Sequence, residues 1–229
     1  LFTVYGEAGV GKSRLVREFA SVSDGATVLG GRCLPYGEGI TYWPVAEMVK
    51  SAAGITDDDP LETAKQKLIE CCGDEGVAEL LGLAAGVLDA LEGERSPQEI
   101  AWGVRQFAEE LADVQPLIMV FEDIHWAEEP LLELIDHLAG SVRERPLMVI
   151  CLARPELLDL RPTWGGGRLR STTIEVEPLG PAESRQLADA LIAEHDLPFD
   201  VAESVLRRAE GNPLFVEETV RMLVHGESD

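Results

Sequence analysis

Eight residues near the start of the chain, Gly6-Glu7-Ala8-Gly9-Val10-Gly11-Lys12-Ser13, fill the pattern G-x-x-x-x-G-K-[ST], with the apolar run Leu1 to Tyr5 before them and the helical run Leu15 to Val22 after them. A strand that passes through a glycine turn into a helix leaves few folds open, because this pattern forms a loop whose backbone N–H groups turn inward on an anion. The glycines remove the Cβ atoms that would hold a phosphate away, and a helix opening at Lys12 aims the positive end of its dipole at the same point. By residue type, Lys12 reaches the β and γ phosphates as a point charge and Ser13 offers a hydroxyl to Mg²⁺. Gly6 to Ser13, with Arg14 directly after, is therefore the expected cradle for a nucleoside triphosphate such as ATP.

The rest of the chain alternates as a parallel sheet with covering helices does. Short apolar runs at Leu1 to Tyr5, Thr27 to Gly30, Leu117 to Phe121, Leu147 to Leu152 and Thr173 to Val176 read as strands, with helical patterns between them. From about residue 34 to residue 95 the alternation is interrupted by an insertion whose helices are expected at Trp43 to Ala53, Pro60 to Cys72 and Glu75 to Ala84. Ser96-Pro97-Gln98-Glu99 then supplies a capping box, and Ile100, Val104, Phe107 and Leu111 form an apolar face that must pack on the sheet. After Pro178 only helices follow, at Pro181 to Glu194, Asp200 to Ala209 and Leu214 to Val224, broken at Leu197-Pro198 and Gly211-Asn212-Pro213. The expected architecture is α/β: a P-loop core over residues 1–177, a parallel sheet flanked by helices, and a small helical lid over residues 178–229. Gly165-Gly166-Gly167, with Arg168 and Arg170, reads as a loop before the last strand.

A chain of 229 residues can bury a large core, and 42 acidic against 19 basic residues give a formal charge of −23. Such a surface repels nucleic acid and anionic lipid, so direct nucleic-acid binding is not expected, and ATP must be held by a local positive field. The four cysteines, Cys33, Cys71, Cys72 and Cys151, show no C-x-x-C spacing and read as reduced, structural thiols. With neither a signal peptide nor an apolar run long enough to span a membrane, the expected compartment is the cytoplasm. The chain opens inside a strand without an initiator methionine, which points to a segment of a longer polypeptide whose other parts carry the output.

The second chemical feature is the apolar strand Leu117 to Phe121 ending in Glu122-Asp123. Ligands of such sheets bind beyond the carboxyl ends of the strands, where one carboxylate can hold Mg²⁺ and the other can orient the attacking water. By position Glu122 takes the metal and Asp123 the water, although the two can be exchanged. Arg154, at the end of the next strand, either touches the γ-phosphate or is a surface arginine before the turn at Pro155. His125, beside Trp126, either supports the acidic pair or simply packs.

These residues together resemble the STAND NTPases, the signal-transduction ATPases with numerous domains. The resemblance rests on Gly6 to Ser13, Glu122-Asp123-Ile124-His125-Trp126, Arg154 and Gly211-Asn212-Pro213-Leu214. It is nearest to the bacterial branch joined to LuxR-type regulators or to adenylate/guanylate cyclase domains, through Gly31 to Pro44. It implies a regulatory Mg²⁺-dependent ATPase whose nucleotide sets the lid and the flanking effector domains, with Pro213 against the adenine, Arg154 as the sensor arginine, and self-association as a possible output. The chain departs from the family in ending its strand Glu-Asp where Asp leads the usual pair; this leaves binding intact and puts the hydrolytic rate in question.

Two rivals stand beside this expectation. One is an AAA-type remodelling or origin-binding ATPase, for which Arg207 and Arg208 would have to reach a γ-phosphate. The other is a scaffold gated by nucleotide without turnover. Lys12 and Arg154 are the only cations assigned to the terminal phosphate, so hydrolysis by the isolated segment is expected to be slow.

Overall fold

The computed structural model of the chain describes residues 1–35, 41–84, 86, 96–142, 144–166, 170–195, 197–198 and 201–226. Five strands form one sheet: β1 (Phe2–Tyr5), β2 (Thr27–Arg32), β3 (Leu117–Glu122), β4 (Leu147–Ala153) and β5 (Thr172–Glu175), in the order β2-β3-β4-β1-β5. β3 lies parallel to β2 on one side and to β4 on the other. Parallel strands covered on both faces must be apolar along their whole length, and Leu117 to Phe121 are all buried. β2 runs two residues past the expected Gly30 because β3 continues beside it, pairing Gly31 with Phe121 and Arg32 with Glu122. β5 is an edge strand with every residue exposed.

The chain divides into two compact units, Leu1–Val4 with Phe19–Ile174, and Tyr5–Glu18 with Glu175–Asp229. In the first, α5 (Pro97–Val114) begins at the expected capping box: the Ser96 hydroxyl accepts from the Glu99 N–H, and the Glu99 carboxylate accepts from the Ser96 N–H at 2.9 Å. Ile100, Val104 and Phe107 of its apolar face are buried, as are Leu131, Leu134, Ile135 and Leu138 of α6 (Glu129–Ser141). The insertion forms α2 (Trp43–Ala53), α3 (Leu61–Cys72) and α4 (Glu75–Ala84), close to the expected bounds. A Cβ on Gly31 would collide with the backbone of Pro44, so the two ends of the Gly31 to Pro44 segment are folded against each other. The middle of that segment, residues 36–40, lies outside the described residues, as do 167–169 of the expected glycine loop, most of 85–95, and residues 199–200 at the expected start of the second lid helix.

The second unit has its own core. α8 (Pro181–Glu194), α9 (Ala202–Ala209) and α10 (Pro213–Gly226) bury Ala188, Ile192, Val205, Ala209, Val216 and Val220 in one cluster. Residues 5–18, with the opening of α1 (Lys12–Ser21), group with these helices because backbone bonds tie them together: Val176 N–H donates to Tyr5 O at 2.8 Å, and Leu214 N–H to Gly9 O at 3.3 Å.

Candidate functional site

In the second unit the glycine turn after β1 has the form its sequence requires. Gly11 lies at φ +108, where an L side chain is strained, and a Cβ there would meet nothing within 4 Å. That face of the loop is left open for close approach of a ligand to the backbone. A Cβ on Gly6 would instead come within 2.7 Å of Val176 O, so the first glycine is fixed by packing. Between them Val10 is buried, while Glu7 and Ala8 are exposed.

Lys12 is the first residue of α1 and one of the few buried charges, 8% exposed. Its ammonium donates to Gly6 O at 2.7 Å and Glu7 O at 2.9 Å. These carbonyls aim a positive charge along the loop's own backbone, and the first turn of α1 carries no acidic side chain to oppose an incoming anion. Ser13 follows in the same turn. Arg14 points outward, 72% exposed and 3.6 Å from Glu18 one turn on, a pair of small energetic weight.

Pro213 stands at the first position of α10, where its fixed φ suits a helix start. The corner before it is tight, with Glu210 at φ +47 and Gly211 at φ +85; a Cβ on Gly211 would lie 2.6 Å from Leu179 O. Asn212, between this corner and Pro213, has no assigned role from sequence, yet its side-chain amide donates to Ala8 O at 2.8 Å and accepts from Leu214 N–H at 3.1 Å. An Asn before a helix-opening proline is a recognisable cap signal; the second partner, across the loop, is not visible in any local pattern.

In the first unit the parallel strands bring Arg32, Glu122, Asp123 and Arg154 to one edge of the sheet. Asp123 adopts the left-handed conformation, φ +57, which Asp tolerates better than most residues, and opens a 3-10 turn over Ile124–Trp126. Arg32 reaches both carboxylates, 3.3 Å from Glu122 and 3.4 Å from Asp123. It was not among the expected site residues, since its partners stand 90 residues away. The Arg154 guanidinium lies 5.4 Å from the centre of the Trp126 ring, a cation–π contact, and the His125 ring is 4.7 Å from that same indole. The expected strand-end residues therefore share one edge, with Arg32 as an unforeseen neighbour. Burial, reinforced by Asp123 and Glu47, pushes the nearby Cys33 thiol up to about 12. Arg207 and Arg208 are exposed in the last turn of α9.

Each set of residues has donors of its own kind. In the second unit the glycine loop and Lys12 suit a phosphate, with the Ser13 hydroxyl a hard oxygen donor, and in the first unit the carboxylates of Glu122 and Asp123 are hard oxygen donors of the sort Mg²⁺ takes. Among the described residues, no three His, Cys, Asp or Glu side chains form an all-protein metal cage. Also among them, no helix is long and apolar enough to cross a membrane.

Comparison with known proteins bears on the fold and the family. A solved Walker-type ATPase of Pyrococcus abyssi, PABY2304, superposes with a TM-score of 0.59 at 20% identity over 98% of this chain and 63% of its own, which supports the fold. A chain in the structure of Drosophila ORC bound to DNA reaches a TM-score of only 0.41 at 12% identity, too low to support an argument. A Rhizobium meliloti (strain 1021) protein named Uncharacterized protein R02095 is 28% identical over 94% of this chain, which spans 22% of that relative's length. Residues 180–227 match a domain described only as of unknown function. Residues 1–150, which hold the glycine loop and the acidic strand end, match the AAA ATPase domain, and the chain belongs to that family.

Proposed function

We propose that this chain is the nucleotide-binding switch of a larger regulatory protein: it binds ATP with Mg²⁺, hydrolyses it slowly, and couples the bound phosphates to its helical lid. The observation that supports this most is the direct hydrogen bonding of the phosphate loop to the corner that opens α10. A loop whose backbone carries the lid cannot rearrange around a phosphate without the lid feeling it. That a similar segment fills only 22% of the Rhizobium relative favours a multidomain setting. Resemblance to the STAND NTPases extends the proposal to LuxR-type or cyclase-linked effector domains, to nucleotide-dependent self-association, and to the cytoplasm.

In this proposal the backbone of Gly6, Glu7, Ala8, Gly9, Val10 and Gly11 wraps the phosphates and Lys12 bonds the β and γ oxygens. Ser13 would offer its hydroxyl to a metal, Glu122 would offer its carboxylate, and Arg14 flanks the loop. Mg²⁺, when bound, neutralises charge on the phosphate oxygens. Asp123 orients the attacking water, Arg154 contacts the γ-phosphate, and Pro213 packs on the adenine. Arg32 neutralises the acidic pair and must give way for either carboxylate to act. A second reading, an AAA-type ring machine, draws on the exposed Arg207 and Arg208, which in such an assembly would reach a neighbouring subunit's nucleotide.

Calorimetric titration tests the binding step. Lys12→Ala removes a charge-assisted contact of about 1.5 to 3 kcal/mol, and ATP affinity is expected to fall by about 10- to 150-fold. EDTA should do comparable damage. Unchanged affinity in either case would remove the nucleotide-binding proposal.

A further inference from the structure

We infer that Asn212 is a positioning residue for the phosphate loop: its side chain holds the Ala8–Gly9 peptide plane in the orientation that presents the Gly9 N–H to phosphate. This rests on the nucleotide-binding reading above and adds to it a residue outside the loop on which phosphate affinity depends.

Peptide planarity carries the argument. In a trans peptide the C=O and the following N–H point in opposite directions. Asn212 Nδ2 donates to Ala8 O at 2.8 Å, which pins the Ala8–Gly9 plane and turns the Gly9 N–H to the side away from Asn212. The next carbonyl, Gly9 O, accepts from Leu214 N–H at 3.3 Å, and the N–H of that Gly9–Val10 plane donates to Glu7 O at 3.4 Å, so this second plane braces the loop internally. That same Leu214 N–H lies 3.1 Å from Asn212 Oδ1. One amide side chain thus caps α10 with its oxygen and holds the loop with its nitrogen. Two successive planes of the loop are set from the corner that opens α10, the first by the Asn212 side chain, 204 positions from Ala8, and the second by the Leu214 backbone N–H.

Gly9 gives independent support. The G-x-x-x-x-G-K-[ST] pattern leaves its position free, yet a Cβ there would lie 2.7 Å from Asn212 Oδ1 and 2.7 Å from Leu214 Cβ, at φ +79. The glycine is required because the corner presses directly on the loop backbone.

A helix cap alone would account for the oxygen but not for the nitrogen, and the two roles separate by substitution. Serine is a good cap acceptor, but its shorter hydroxyl falls short of Ala8 O, so Asn212→Ser keeps the cap and drops the hold on the loop. Asn212→Ala drops both. The measurement is calorimetric affinity for Mg²⁺-tripolyphosphate, which has no base, alongside Mg²⁺-ATP. The intact protein that contains this chain is used, with circular dichroism confirming that each variant is folded. We expect Asn212→Ser to weaken both ligands by the same factor, about 3- to 10-fold, the scale of one hydrogen bond. Wild-type affinity of the folded Ser variant for tripolyphosphate would make Asn212 a cap only. Loss of ATP affinity alone would transfer its role to the base side, with Pro213. Should Asn212→Ser not fold, the same tripolyphosphate and ATP titrations on Asn212→Ala decide between these outcomes. Lys12→Ala, measured in parallel, keeps the two ideas apart: if it binds tripolyphosphate like the wild type, the nucleotide reading fails first and the inference falls with it. If only the Asn212 variants are silent, the inference fails alone.

Discussion

The phosphate loop and the acidic edge of the sheet are both built around charge, but they are held in different ways. In the loop, Lys12 is buried and fixed by backbone carbonyls, and the backbone is in turn fixed by Asn212, Leu214 and Val176. At the sheet edge, Arg32, Glu122 and Asp123 hold one another through ion pairs, with the arginine side chain 58% exposed. The Lys12–Gly6 bond is buried and costly to lose, and the Asn212–Ala8 bond, although exposed, joins a short side chain to backbone, whereas exposed ion pairs between long side chains are weak and can be exchanged. The loop is thus suited to hold a ligand of constant shape, and the edge to let its carboxylates change partners.

The largest test of this contrast uses alkali. All four cysteines and all four tryptophans lie in the first unit. Burial pushes Cys33 and Cys72 up to about 12 from 9.0, and drives Cys151 higher still. Between pH 9 and 12 the folded chain keeps thiol protons that the unfolded chain has released, so stability is full below about pH 9 and falls as pH rises through that window. Denaturant titrations followed by tryptophan emission should show the loss, and Cys33→Ala with Cys151→Ala should reduce it, leaving the part that belongs to Cys72. An unchanged slope in that double variant would remove Cys33 and Cys151 as its cause.

A smaller effect is expected from Gly9→Ala, which forces a Cβ to 2.7 Å from Asn212 Oδ1 and Leu214 Cβ. Strain of this kind costs about 1 to 3 kcal/mol. Thermal melts followed by far-ultraviolet circular dichroism should show the drop. If tryptophan emission, which reports the first unit, shifts by the same amount, the two units unfold as one and the contrast between them is not one of independent stabilities.

The smallest effect belongs to Arg32→Ala. Its two exposed ion pairs should be worth at most about 1 kcal/mol, and less at about 1 M salt. A loss of several kcal/mol in urea titrations would mean that the edge is as rigidly built as the loop.

What could be read from the sequence follows from range. Strands β1 to β4, the start of α1 and the Ser96 capping box depend on neighbours a few residues apart, and their patterns were enough. β2 ended two residues late because its last pairs, Gly31 with Phe121 and Arg32 with Glu122, are set by a distant strand. The acidic pair was legible as a strand end; its arginine partner was not, since nothing near Arg32 names a carboxylate 90 residues on. The Gly211-Asn212-Pro213 corner was visible as a helix break, but only the fold reveals that the asparagine amide faces Ala8. Position alone leaves Arg154 open between a phosphate contact and a surface arginine, and its guanidinium over the Trp126 ring is a contact that only the fold reveals.

The 204-residue separation of Ala8 from Asn212 also bears on how the protein is made. The glycine loop leaves the ribosome among the first segments of this chain, while the amide that fixes it emerges near the last, on the order of 10 to 40 s later at ordinary elongation rates. Until then the loop has its motif without its brace. With Asn212 as the positioning residue, a nascent or truncated chain that lacks it carries every residue of the motif yet is expected to bind phosphate about 3- to 10-fold less tightly than the finished protein.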